Sequence, residues 1–488
     1  KNILDVNRLN IKDIDLIVST GKTYPTLKQK IRNSLVQLFG YSPKIILMPH
    51  YLAHAYGSYY SSGYDESLVI SMDAMGDKVS MIIANASKNK FKEIYRSGNG
   101  LQDESVGCFY ASFTEYLGFR RSEGEFKLMG MAAYGKKKYN LDKIIKVKKN
   151  PFKIEVNPNL TVEKKFPVTS TFEPMVNIDF LKKISNGKYV FKKTSQKKYT
   201  QDHFDLAYSV QKKYEEILLS VVKKFKKNHK RLCLSGGCAL NCLANSYLLD
   251  YFEDIYVMPA ASDRGLSIGC AYYGAKKNGL KTYPVKNMFL GKSYKEKEIK
   301  QSLALSGIAY KKGNVFKFAA DDLLKGKIVG WFRGKSEFGP RALGGRSILA
   351  FAKIKGIKDK INSRVKFREE FRPFAPVTLK KFAEKFGIKK DFPYMTIASF
   401  PKKKFSYELG ESVHKDGSVR LQTVSEKEHP LYKLLKEVES RNYSPVLINT
   451  SFNTSGEPIV ESPRDAIRTF FSSGLDVLYI ENFRITKK

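Results

Sequence analysis

The sequence predicts a two-domain mixed α/β protein, and three features carry that expectation. Short apolar runs of strand length alternate with stretches of helical periodicity through the first part of the chain. A strand–glycine–helix unit follows a strongly amphipathic segment. A polar linker, Asn278–Tyr294, then separates these from a C-terminal stretch with strands and helices of its own. At roughly 100–200 residues per domain, 488 residues leave ample length for two real cores.

Taken in order, Ile11–Ile14 leads into a strand at Asp15–Ser19, and Ile45–Met48 reads as a second short strand. Tyr51–Tyr60 has helical spacing. Ser67–Met72 is an apolar run of buried-strand type, and Met81–Ala84 and Phe91–Tyr95 continue it as a meander. Residues 136–200, rich in Lys, Asn and Pro with weak periodicity, read as an insertion or cap packed on the core. Phe204–Phe225 places Leu206, Val210, Tyr214, Ile217 and Leu218 on one helical face. Arg231–Leu234 is a strand, Ser235-Gly236-Gly237 a turn and Ala239–Leu249 a helix. Ile255–Met258 is a further strand, and Asp263-Arg264 precedes a helix over Leu266–Lys277. The C-terminal unit contributes strands at Ile328–Phe332, Val446–Asn449 and Val477–Ile480, with helices at Pro430–Val438 and Pro463–Phe471. The expected domains are 1–285 and 286–488.

Composition excludes several classes. Thirty-two Phe and 29 Tyr argue against disorder, and 34 Gly with 18 Pro are ordinary counts. No apolar run approaches the roughly 20 residues that cross a bilayer, and Lys1–Arg8 is too polar for a signal peptide. Five cysteines without a Cys-x-x-Cys pair form neither a disulfide framework nor a zinc ribbon, which suits a cytoplasmic protein. Cys238 and Cys242, one helical turn apart, read as small buried residues. The balance of 86 Lys+Arg against 48 Asp+Glu gives +38. The lysines are scattered in short runs such as Lys136–Lys138 and Lys402–Lys404, so the charge reads as a solvated surface and no nucleic-acid partner is expected. The chain starts on Lys rather than Met, and an incomplete N-terminus is expected.

Three constellations carry chemistry. His50 and His54, two of only six histidines, lie at i and i+4, where imidazoles on one helix face can share a metal. Asp73 ends a strand, at the edge where open α/β sheets gather ligands, and Asp263 opens a helix beyond another strand. Two imidazoles with two carboxylates suit iron, manganese or zinc; the alternative is a pair of ordinary helix-surface histidines. Second, Gly236-Gly237 lets the backbone approach a phosphate or ribose, or is an ordinary connection. Third, Arg341 and Arg346 in Glu337–Ser347 stand with Lys366 and Arg368, Arg420, and the strand-end residues Asn449, Ser451 and Asn453. Guanidinium forks punctuated by Pro, Gly and aromatics fit a small phosphorylated ligand; surface salt bridges are the competing reading.

Together these stretches resemble the O-carbamoyltransferase family, which includes the nodulation-factor and aminoglycoside-antibiotic carbamoyltransferases. The resemblance runs from about residue 10 to 485. It rests on HYLAHA (from His50), EGEFKLMGMAAYG (Glu123–Gly135), LSGGCALNCLAN, SDRGLSIGCA, EFGPRALGGRS, FREEFRPFAP, DGSVRLQTV and NTSFNTSGEPIV, in that order. It implies an actin-like, duplicated ribonuclease H-like nucleotide-binding domain followed by a YrdC-like domain with a twisted sheet. It also implies a two-part reaction. Carbamoyl phosphate is cleaved, the carbamate attacks the α-phosphate of ATP, and carbamoyl adenylate and pyrophosphate form in the second domain. In the first domain an acceptor hydroxyl then attacks the carbamoyl carbon and AMP leaves.

By the same resemblance His50, His54, Asp73 and Asp263 hold a divalent metal, iron(II) above magnesium. Gly236, Gly237 and Asn241 contact nucleotide, with Glu123 and Lys127 in a neighbouring segment of that pocket. Arg341, Lys366, Arg420, Ser451 and Asn453 match positions that grip carbamoyl phosphate and the ATP phosphates, the first three and Ser451 being the expected catalytic residues, and Arg346 and Asn449 are expected among the cofactor-binding residues. Family members open with a strand and an early His-Asp segment that nothing here matches, so transfer is expected to need a preceding segment. The acceptor is a small-molecule or glycan hydroxyl, chosen partly by residues 136–200, where Phe152, Phe166, Phe172, Phe180 and Tyr189 pack the core or stack on a sugar. A homodimer is compatible with the resemblance. The competing readings are a tRNA-modifying threonylcarbamoyl-type or RNA-binding protein, an actin-like sugar kinase and a non-catalytic scaffold.

Overall fold

A computed structural model describes residues 2–88, 90–97, 104–165, 172–189, 198–388 and 390–487, and divides the chain into two units, Lys1–Lys286 and Asn287–Lys488. The N-terminal unit begins with α1 (Asn2–Asn7). Strand β1 (Leu16–Thr20) and, across α2 (Leu27–Phe39), β2 (Lys44–Met48) pair in parallel as a two-stranded sheet. Pro49 caps α3 (His50–Ser62), which starts one residue beyond β2. An antiparallel meander follows: β3 (Glu66–Gly76), β4 (Val79–Ser87) and β5 (Lys90–Ser97). Its first turn, Asp77-Lys78, has φ of 51° and 68°, the left-handed pair that matches the twist of a two-residue hairpin.

Helices α4 (Val106–Tyr116) and α5 (Glu125–Ala132) lead to two hairpins, β6 (Ile145–Lys149) with β7 (Phe152–Val156) and β8 (Thr161–Lys165) with β9 (Phe172–Val176). Helix α6 (Ile178–Ile184) precedes the long α7 (Gln201–Phe225), then β10 (Arg231–Ser235), α8 (Cys242–Ser246), β11 (Asp254–Val257) and α9 (Leu266–Lys277). The five-stranded sheet runs β11-β10-β3-β4-β5, with β10 parallel to both neighbours. Helix α3 lays Ala55 and Tyr59 on Val69, Ile82, Ala84 and Cys233, fully buried side chains worth about 1.5–3 kcal/mol each for the larger ones.

The structure adjusts several sequence expectations. Ala239–Leu249 is not one helix but two short 3-10 turns, Gly237–Leu240 and Tyr247–Asp250, around α8. Asn241 is the break: its backbone is non-helical (φ −76°, ψ 82°) and its side chain caps Ala244 N instead. Helix α2, which the sequence expectations did not include, buries none of its residues. Within residues 136–200, Tyr189 is buried against Phe113 and Tyr139, and Phe152 packs on Tyr95 and Phe225, so these two serve packing. Phe180 is partly exposed; Phe166 and the side chain of Phe172 lie outside the described residues.

The C-terminal unit comprises α10 (Glu296–Leu305), β12 (Lys311–Lys312), α11 (Val315–Leu324), β13 (Val329–Phe332), β14 (Arg346–Phe351), α12 (Ile357–Ile361), β15 (Ala375–Leu379), α13 (Lys380–Lys385), α14 (Ser406–Leu409), β16 (Gln422–Val424), α15 (Tyr432–Glu439), β17 (Leu447–Ser451), α16 (Pro463–Phe471), β18 (Val477–Ile480) and β19 (Phe483–Thr486). Its eight-stranded mixed sheet has the order β12-β19-β18-β13-β14-β17-β15-β16. Val329, Trp331, Leu349, Val377, Leu447 and Tyr479 face Ala319 and Leu323 of α11 and Leu434, Leu435 and Val438 of α15. Helix α16 starts where a Ser462–Asp465 capping box and Pro463 at its first position require. Among the described residues no helix is long and apolar enough to cross a membrane.

Candidate functional site

In the N-terminal unit four strands deliver their carboxyl ends to one region, the edge at which α/β sheets collect ligands. His50 follows β2, Asp73 lies near the end of β3, Gly236-Gly237 follows β10, and Asp263 follows β11. The helical spacing of His50 and His54 turns both rings the same way, and their Nε2 atoms stand 3.0 Å apart. Asp73 Oδ2 is 3.2 Å from His50 Nε2 and 3.1 Å from His54 Nε2; Asp263 Oδ1 is 3.3 and 3.4 Å from the same atoms. All four ligand atoms lie within 4.8 Å of one another.

Packing makes this convergence. Asp263 comes from a 3-10 turn at the head of α9, and α9 meets α3 backbone to backbone: a Cβ on Gly269 would lie 1.8 Å from Ala53 O. Only a residue without Cβ allows that approach, which fixes Asp263 over the histidines. Gly236, at φ 82°, would place a Cβ 2.1 Å from Met72 O; its turn presses on β3 so that Gly237 N donates to Asp73 Oδ1 at 3.1 Å. Asp77 holds the rim: Oδ2 accepts from His50 N at 2.7 Å, while Oδ1 accepts from Thr23 N and Thr23 Oγ1 at 3.0 and 2.6 Å.

The electrostatics fit a cation. Burial alone would push His50 down, yet its bonds to Asp263 and Asp73 outweigh that and raise it to about 9. His54, more deeply buried, is raised for the same reason. Asp73 is held well below the carboxylate range: its burial is overcome by the two histidines. Two anionic oxygens and two imidazole nitrogens facing a common point form a donor set for a divalent transition metal, and these four residues are the ones that would hold it.

The other residues expected around a nucleotide are placed differently. Asn241 exchanges hydrogen bonds with Gln211 (2.8 and 3.1 Å) besides capping α8. Lys127 lies over the Phe119 ring at 5.2 Å, and Glu123 pairs with Arg120 at 3.4 Å. A cleft of about 520 Å³ opens beside the cluster, with His50 and Asp263 in its wall.

In the C-terminal unit Lys366 ends a π-helical turn, Asn362–Lys366, a departure from α-geometry common at functional sites. Its ammonium is buried and donates to Ser451 O (2.5 Å), Ser451 Oγ (3.2 Å), Asn453 O (2.9 Å) and Asn453 Oδ1 (2.7 Å), none of them a carboxylate. Burial, then Arg368 and Arg372, push Lys366 far below its usual range. Burial and the neighbouring Arg372 and Arg420 likewise lower Arg368, to about 8. Four cations crowd one another here, and a bound anion relieves that repulsion.

Glu337 shapes the adjacent loop by accepting from Leu343 N, Gly345 N and Arg346 N at 2.7, 2.6 and 3.2 Å. Buried Asn449 of β17 donates to Ala342 O of that loop (3.2 Å) and to Gln422 Oε1 of β16 (2.8 Å), and partly exposed Arg341 belongs to the same loop. Arg346 stands apart. It is fully buried on β14, its guanidinium lies 3.6 Å over Phe332, and its NH1 and NH2 donate to the carbonyls of Arg333, Gly334, Gly345 and Lys292. Its terminal donors are thus committed to the fold. Sequence reasoning left Arg372, Asp77 and Glu337 without roles; the clustering of arginines signalled the first, and nothing local signalled the other two.

One α/β unit thus carries a His/Asp cluster at its strand ends, and the other a buried cluster of cations. The chain belongs to the carbamoyltransferase family: residues 11–272 match Carbamoyltransferase N-terminus and residues 320–487 match Carbamoyltransferase C-terminus. It is 32% identical to nodulation protein NolNO of Sinorhizobium fredii over 94% of this chain and 67% of that protein. To nodulation protein NolO of Bradyrhizobium diazoefficiens it is 32% identical over 90% and 79%. An uncharacterized Synechocystis protein, sll1178, is 32% identical over 91% and 77%. Among solved structures, component A of Acidaminococcus fermentans (R)-2-hydroxyglutaryl-CoA dehydratase is similar over 57% of this chain and 82% of its own, at 15% identity and a TM-score of 0.33.

Proposed function

We propose that this carbamoyltransferase is ATP-dependent and works in two half-reactions. In the C-terminal unit, read as YrdC-like, water hydrolyses carbamoyl phosphate: its oxygen bonds to the mixed anhydride, the bridging bond breaks, and carbamate and phosphate result. A carbamate oxygen then attacks the α-phosphorus of ATP, and pyrophosphate departs. Lys366, Arg368, Arg372 and Arg420 balance the phosphate charges, Arg341 approaches from the loop, and Ser451 and Asn453 orient the Lys366 ammonium. Preorganised donors of this kind favour charge that develops during phosphoryl chemistry. Arg346 and Asn449 hold the loop in shape.

In the N-terminal unit, read as actin-like, a hydroxyl oxygen of a small-molecule or glycan acceptor attacks the carbamoyl carbon of the adenylate, and AMP leaves. His50, His54, Asp73 and Asp263 would hold a divalent metal, iron(II) being the expected ion. A metal there supplies charge neutralisation for phosphate oxygens and so improves AMP as a leaving group. The Gly236-Gly237 turn orients Asp73, and Asp77 fixes the helix end that bears His50.

The observation that carries this reading is the meeting of two histidines and two aspartates from three separate segments within 4.8 Å. Incubation with ATP and carbamoyl phosphate is expected to release pyrophosphate without any acceptor. A protein that releases none with both substrates present overturns the proposal.

A further inference from the structure

The loop of residues 337–347 is tied to the sheet through its carbonyls. Asn449 of β17 donates to Ala342 O at 3.2 Å, and Gln422 of β16 donates to Leu343 O at 2.8 Å. The His429 ring stands beside them, 3.3 Å from Gln422 Nε2, and makes a second bond to the Leu343 carbonyl. We propose that His429 is a positioning residue of the donor site: it holds Leu343 so that Arg341, two residues earlier, presents its guanidinium to carbamoyl phosphate. The inference rests on the reading of this unit as the donor site and adds to it a residue that acts through Arg341 rather than on the substrate.

Three observations carry it. The first fixes which nitrogen donates. Leu431 N donates to His429 Nδ1 at 3.1 Å, so Nδ1 presents a lone pair and, in the neutral ring, the proton sits on Nε2. The amide nitrogen of Gln422 is a donor as well, so both N–H groups turn to Leu343 O and occupy its two lone pairs. Burial pushes the ring down to about 4, which keeps it neutral and its tautomer single near neutral pH.

Close contact is the second. Gly344 has φ of 122°, and a Cβ there would lie 2.6 Å from Leu431 Cγ and 3.2 Å from His429 Cε1, so the loop presses directly on the ring. Phe289 packs edge-to-face on the same ring with centroids 5.3 Å apart, which restrains its rotation. The third is the division of the loop's backbone. Glu337 accepts from Leu343 N, Gly345 N and Arg346 N, while Asn449, Gln422 and His429 hold the carbonyls of Ala342 and Leu343. Arg341 is the residue next to this clamped stretch, and a two-pronged grip on a phosphate depends on where its backbone starts.

Calorimetric titration of the full chain with carbamoyl phosphate, without ATP, tests this independently of turnover. His429→Asn retains an acceptor for Leu431 N and removes the Nε2 donor; His429→Gln carries an amide N–H about as far from the backbone as Nε2. The Asn variant is expected to bind carbamoyl phosphate about tenfold more weakly, and the Gln variant to recover most of the loss. In an Arg341→Ala background His429→Asn should cost no further affinity, although it lowers the melting temperature as much as it does alone. A histidine that only stabilises the fold gives the same loss of affinity with and without Arg341. That additive result, undiminished binding by His429→Asn, a Gln variant as weak as the Asn variant, or no binding by the unaltered chain overturns the inference. Pyrophosphate release by the unaltered chain with both substrates reports on the proposed function separately.

Discussion

His50 shows what a single side chain implies here. Its folded value near 9 lies above the ordinary 6.5, so the metal-free protein gains stability from the protonated ring. That gain is complete below about pH 6.5 and disappears as pH rises through about 9. A metal competes with the same proton, so the increase in melting temperature on adding iron(II) or manganese(II) should grow between pH 6.5 and 9. Anaerobic thermal melts across that interval check the slope; a metal effect independent of pH would remove the imidazoles from the site. Lys366 makes the complementary case. Lys366→Gln should weaken carbamoyl phosphate binding, measured by calorimetry, by about 2–5 kcal/mol if the ammonium meets the anion while buried.

Elements bring together what single residues cannot. Gly269→Ala should force α3 and α9 apart at a cost of about 1–3 kcal/mol, with metal affinity falling alongside because Asp263 moves with α9. Gly57→Ala is the control, since its added methyl would meet its nearest atom, Gly269 N, at 3.5 Å, an ordinary contact. Melting temperature and metal titration on the two variants distinguish them. The same contrast explains how much of the site was legible. The pairing of His50 with His54 follows from helical periodicity alone. Asp263 was legible as a carboxylate opening a helix beyond a strand, but it meets the histidines only through the close approach of α3 and α9. In the sequence Arg346 reads like Arg341 and Arg368, since composition cannot separate a surface guanidinium from one on β14, whose six residues are all buried. The Ala239–Leu249 stretch has helical composition throughout, and Asn241 interrupts it through a cap and a bond to Gln211, a contact thirty residues distant.

Across the whole molecule, the polar stretch read from sequence as a linker contains the division between the two units, and Lys281 and Lys286 lie exposed within it. Brief trypsin treatment should therefore cut there early and leave two resistant pieces ending and beginning near residue 286, identifiable by mass spectrometry. First cleavage elsewhere would place the weak point in another segment. The net charge of +38 has a bearing at this scale too. A positive molecule with a further concentration of cations around Lys366 draws small anions toward it, so capture of the phosphorylated donor should slow as ionic strength rises.

The hydrogen bond from Gly237 N to Asp73 Oδ1 has one last effect. It links the glycine turn to the carboxylate, so a displacement of one strains its bond to the other. Reciprocity then follows from thermodynamics: whatever factor a cation adds to the grip of that turn on its ligand, the ligand must return to the cation. Each would then tighten the hold on the other by the same factor.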